Sequence, residues 1–99
     1  DDGHCWHMFC PLLPLERLRI TRVEFIRRMA ERGIAVGVHY PAIHLFAAYR
    51  RLGWKEGDFP VAERVGRETI TLPLFPAMAD TDVDRVVEAV HAIAAEAAA

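Results

Sequence analysis

The period of the apolar positions changes repeatedly along the chain, and each change marks an element. Cys5 to Leu13 is apolar and aromatic nearly throughout, which predicts a strand covered on both faces; Pro11 and Pro14 place its end at an edge. Thr21 with Glu24 forms a capping-box signature, followed by Phe25, Ile26, Met29 and Ala30 as one helical stripe. Gly33 stands where that helix needs a left-handed residue. Ile34 to His39 then alternates strictly, with Ile34, Val36 and Val38 on one face and Ala35, Gly37 and His39 on the other. The second face is nearly bare before His39, so a strand layer, another domain or a ligand can approach its backbone. Leu45 to Leu52 predicts a short helix stopped by Gly53, and Pro60 opens another through Arg67. Thr69 to Leu74 alternates as a third strand, and Pro73 limits its pairing. Asp80 or Thr81 caps a last helix carrying Val83, Val86, Val87, Val90, Ile93 and Ala94, whose alanine-rich end frays from Ala92 on. The expected fold class is α/β: one domain over 1–99, a small three-stranded sheet with helices packed on one face.

Composition narrows the function classes. The 99 residues carry a net charge of −2, which argues against nucleic acid or an anionic membrane surface as the main partner. No apolar run reaches the ~20 residues of a membrane span. The arginines from Arg17 to Arg32 interleave with Glu16, Glu24 and Glu31, the pattern of a solvated helix face. Cys5 and Cys10 are five strand residues apart, roughly 16 Å, too far for a disulfide; reduced, packed, inert thiols and a cytoplasmic setting are expected.

Few side chains are candidates for chemistry. His4, Cys5, His7 and Cys10 crowd the start, but an extended segment sends them to opposite faces, and neither they nor His39 with His44 have zinc-site spacing. There is no serine, no glycine-rich phosphate cradle and a single lysine, Lys55. His91 is expected to face solvent. What stands out is His39–Tyr40 before Pro41: an imidazole and a phenol at a non-helical strand exit, where a histidine is either a satisfied structural residue or a hydrogen-bonding group that meets a ligand.

The order of motifs goes further. WHMF, a helix ending RGI, then VHYPAIHL, YRRLG, GDFPVAE, ITLPLFPAM and D-x-DVDRVVEAV cover nearly the whole chain. In that order they resemble the C-terminal small domain of the DegT/DnrJ/StrS-type sugar aminotransferases, pyridoxal-phosphate enzymes of the aspartate-aminotransferase fold (fold type I). The resemblance implies that the chain is one domain of a cytoplasmic homodimer that transfers an amino group, from glutamate, to a nucleotide-linked keto-sugar in polysaccharide or glycoside biosynthesis. It implies that pyridoxal phosphate and its lysine belong to an N-terminal large domain absent from this chain, so that this stretch alone binds no cofactor and is inactive. Lys55, in GWKEG, does not match the cofactor lysine. The resemblance assigns His39 and Tyr40 to the hexose, with His44 as a third substrate-side residue or a holder of the loop, while LPLFP and FPVAE read as packing. Both side chains suit sugar hydroxyls, offering directional hydrogen bonds and an aromatic face. The abrupt opening into a strand also reads as a piece of something longer. Two alternatives stay open: the same domain of a related sugar dehydratase lacking the cofactor lysine, and a freestanding non-catalytic binding module.

Overall fold

A computed structural model describes residues 3–99. Its helices are α1 (Arg22–Glu31), α2 (Ala47–Arg50), α3 (Pro60–Glu68) and α4 (Asp80–Glu96), with single 3-10 turns at Leu15–Arg17 and Ile43–Leu45. The Thr21 hydroxyl accepts the Glu24 N–H at 3.2 Å at the start of α1, and Gly33 takes the left-handed conformation beyond its end (φ 76°). Ala79, rather than Asp80 or Thr81, is the N-cap of α4; its N–H donates to the Asp82 carboxylate at 3.1 Å.

The expected three-stranded sheet does not form among the described residues. Its three segments meet only through isolated antiparallel bridges, Phe9 with Leu72, Leu12 with Thr69 and Gly37 with Thr71. Proline explains the interruption. In the Phe9–Leu72 register Pro11 faces Ile70; it accepts the Ile70 N–H at 3.1 Å but has none to return. Beyond Gly37–Thr71 the next paired positions would be Ala35 with Pro73, which lacks a donor, and His39 with Thr69, whose N–H goes to Val65 at 2.9 Å.

Leu13, Phe25, Met29, Ile34, Ile70, Val86, Ala89 and Ile93 form one buried cluster between α1, α4 and these bridged segments. Ile26 is half-buried and Ala30 exposed, so the α1 stripe is narrower than its spacing implies. On α4 the buried line is Val86, Ala89 and Ile93, while Val83 and Val87 face outward. The alanine-rich end is docked, not frayed. Ala97 is 3% exposed and accepts the Arg19 N–H at 2.7 Å, and the Ala99 N–H donates to Arg17 at 3.0 Å.

The arginine face of α1 is solvated but not idle. Arg27 and Arg28 bond the Glu24 carboxylate at 2.7 and 2.9 Å, holding its pKa down at about 2. Arg32 reaches Glu96 of α4 at 3.0 Å. Arg22 departs from the expected pattern: it turns inward and donates to the Gly66 and Thr69 carbonyls at 2.5 and 3.1 Å, satisfying the C-terminal end of α3. No helix among the described residues is long and apolar enough to cross a membrane.

The candidate site at His39 and Tyr40

Gly37 and Thr71 exchange backbone hydrogen bonds of 3.0 and 2.8 Å, locking the chain two residues before His39. The side chain nearest the bare face of Gly37 is the imidazole of His39 itself. A Cβ built on Gly37 would stand 3.0 Å from His39 Cε1, so a larger residue there would press the ring back by a few tenths of an ångström. His39 Nδ1 lies 2.7 Å from Thr71 Oγ1, and the same hydroxyl lies 3.2 Å from Cys10 Sγ. The imidazole is thus held by a neighbouring segment instead of hanging free at a chain exit.

The Tyr40 and His39 rings meet in a T-shaped contact, with centroids 4.7 Å apart and planes at 88°, and Tyr40 is 63% exposed. The peptide between the two residues is cis. Beyond Tyr40 opens a shallow, largely apolar groove of about 700 Å³, lined by Ile43, Phe59, Val61 and Val65 with Asp58 as its charged member. The close approach of α3 shapes this edge. A Cβ on Gly66 would fall 2.5 Å from the Ala42 nitrogen, so the glycine in mid-helix lets α3 lie directly against the Pro41–Ala42 backbone.

His44 lies apart from this edge and is 7% exposed. Its Nε2 is 3.2 Å from Glu63 Oε1, and its ring meets Phe59 edge-on at 5.0 Å. Glu63, 4% exposed, also accepts the Gly57 N–H at 2.6 Å. That backbone donor, with His44 second, pulls the Glu63 carboxyl below the ordinary range. His44 and Glu63 together pin the loop before α3 to the 3-10 turn at Ile43–Leu45. FPVAE therefore supplies a buried acid as well as packing, through Glu63.

The remaining candidates scatter. Cys5 and Cys10 are both free and both exposed, so the expectation of packed thiols fails: the first segment is covered on neither face at those positions. His91 is exposed on α4. Among the described residues no group of three or more His, Cys, Asp or Glu side chains could hold a metal ion. Lys55 is 77% exposed and bonded to Asp58 Oδ1 at 3.2 Å, and it lines none of the grooves beside Tyr40 or His44. Its backbone N–H and ammonium together lower the Asp58 pKa.

Sequence reading missed Thr71, Cys10 and Glu63 as members of these clusters. Thr71 had a signal in the alternation of Thr69 and Thr71 with Ile70 and Leu72, which puts both threonines on the face opposite the apolar one. Nothing local to Glu63 or Cys10 foretells their partners, 19 and 61 residues away.

Comparison with known proteins adds a lineage to this geometry. The sequence model of the DegT/DnrJ/EryC1/StrS aminotransferase family matches residues 1–91. The spore coat polysaccharide biosynthesis protein SpsC of Bacillus subtilis is 40% identical over 94% of this chain and 25% of its own length. The dTDP-3-amino-3,6-dideoxy-alpha-D-galactopyranose transaminase of Aneurinibacillus thermoaerophilus is 36% identical over 92% of this chain and 23% of its own. A Streptococcus pneumoniae structure assigned as a sugar aminotransferase, in its PMP form, superposes with a TM-score of 0.81 at 29% identity, covering 91% of this chain and 22% of that one. The chain thus spans about a quarter of the length of the relatives it matches.

Proposed function

The chain belongs to the DegT/DnrJ/EryC1/StrS aminotransferase family, and from that premise we propose that it is the C-terminal domain of a pyridoxal-phosphate-dependent aminotransferase acting on a nucleotide-linked keto-sugar. L-glutamate is the amino donor in this reading, and the full-length protein works as a homodimer. Pyridoxal phosphate and its lysine belong to a large N-terminal part outside this chain, in keeping with the exposed, ion-paired Lys55. What this chain contributes is one wall of the sugar site. The observation that carries the assignment is the His39–Tyr40 edge, a braced imidazole beside a largely exposed phenol.

Sugar hydroxyls ask for donors and acceptors held in fixed directions and for an aromatic face against the ring's C–H side. His39 offers Nε2, and Tyr40 offers its hydroxyl and its face. His44, with Nε2 committed to Glu63, has the role of holding the loop that borders the groove. The names of the Bacillus and Aneurinibacillus relatives support a sugar as the class of substrate.

The test is the visible spectrum of the full-length protein supplied with pyridoxal phosphate. A cofactor band that bleaches on adding L-glutamate is the expected result. A protein that binds no cofactor, or whose band ignores every amino donor, would contradict the transaminase assignment.

A further inference from the structure

We infer that Thr71 is a positioning residue for the candidate sugar site: its hydroxyl, backed by the Cys10 thiol, holds the His39 imidazole so that Nε2–H points outward as a hydrogen-bond donor to a ligand oxygen. The inference rests on the proposed role of His39 and adds to it the tautomer in which the ring meets its ligand.

The three side chains form a short chain of contacts, Cys10 Sγ to Thr71 Oγ1 at 3.2 Å and Thr71 Oγ1 to His39 Nδ1 at 2.7 Å. Among the proton arrangements open to it, two spend the threonine proton inside the chain. In one, the thiol donates to the hydroxyl and the hydroxyl to Nδ1. In the other, Nδ1–H donates to the hydroxyl and the hydroxyl to sulfur. Sulfur is a weak acceptor, whereas a neutral imidazole nitrogen is a strong one, so the first arrangement puts the hydroxyl proton on the better partner. The Nδ1–Oγ1 separation is that of a full hydrogen bond in either arrangement, so the choice rests on the acceptor strengths. A neutral imidazole that accepts at Nδ1 carries its hydrogen on Nε2.

The geometry has two more supports. Thr71 is anchored by its paired backbone bonds to Gly37, and Gly37 has no side chain to push the ring away. Tyr40 packs against the ring in a T-shaped contact. The ring is therefore fixed in place by the glycine and the tyrosine, and in tautomer by the threonine. His39 would hold its donor ready before any sugar arrives, which lowers the ordering cost of binding.

Thr71→Val and Thr71→Ser in the full-length protein test this. Valine keeps the shape and loses the hydroxyl; serine restores it. The readouts are the histidine ring-nitrogen NMR spectrum and the steady-state constants for each half-reaction. The expected wild-type spectrum shows His39 with its proton on Nε2. The Val variant shows the two tautomers mixed, with the sugar KM raised about three- to tenfold, the span of one neutral hydrogen bond, and the glutamate half-reaction unchanged. Ser restores both. A wild-type ring protonated on Nδ1, or a Val variant with the wild-type tautomer and sugar KM, would overturn the inference. The spectrum does not depend on what binds there. A sugar KM indifferent to His39→Ala would thus remove the substrate assignment, while the tautomer still decides whether Thr71 positions the ring.

Discussion

The two halves of the molecule are held together by different forces. Around α1 and α4 the interior is mostly hydrocarbon: Phe25, Met29, Ile70 and Ile93 are fully buried, with Thr69 the polar exception. From Tyr40 to Val65 the large apolar side chains face outward, among them Ile43, Leu52, Trp54, Phe59 and Val61. What that half buries besides Ala42 is polar, His44 against Glu63. The radius of gyration, 15.6 Å against about 13 Å for a compact chain of 100 residues, shows that the chain as a whole is less compact than such a domain. The open half holds a shape through a few directed bonds and presents its surface outward. His39 and Tyr40 sit on the seam, the first braced by Thr71 from the packed side, the second lining the groove of the open side.

That contrast can be broken by substitution. The largest expected effect is Phe25→Ala, which removes a fully buried ring from the cluster and costs about 3–5 kcal/mol, read from denaturant unfolding of the full-length protein. Glu63→Gln has a smaller, local effect. Above the ordinary carboxylate pKa of 4.5 the ionised acid holds the Gly57 N–H and His44. Because its folded pKa is lowered, this contribution is complete above pH 4.5 and is lost as the pH falls through the folded value. Hydrogen-exchange protection at Gly57 should follow that acid limb in the wild type. In the Gln variant it should be weaker at neutral pH and show no such limb. The smallest effect is Leu52→Ala, at a side chain 75% exposed, which should stay within about 0.5 kcal/mol of wild type. A Leu52 effect as large as that at Phe25 would mean the open half is covered in the full-length protein, sharpening the contrast into one between an internal core and an interface.

How much was legible in advance also divides along this line. Helices with strong local signals were readable: the Thr21–Glu24 cap, the Pro60 start and the Gly33 stop all act within a few residues. Pairing between distant segments was not. The alternation at Ile34–His39 and Thr69–Leu74 is real, yet Pro11 and Pro73 remove the donors that would extend single bridges into a ladder. The docked alanine tail escaped for a related reason, since Ala97 and Ala99 gain their order from Arg19 and Arg17, far away in sequence. At the site, His39 and Tyr40 were visible as residue types before a proline. Their brace, Thr71 with Cys10, required the fold.

The most direct measurement on that seam compares the two half-reactions of the full-length protein carrying His39→Ala or Tyr40→Phe. A wall of the sugar site predicts weakened nucleotide-sugar turnover in both variants, with the glutamate half-reaction nearly intact. Sugar kinetics unchanged in both would contradict it.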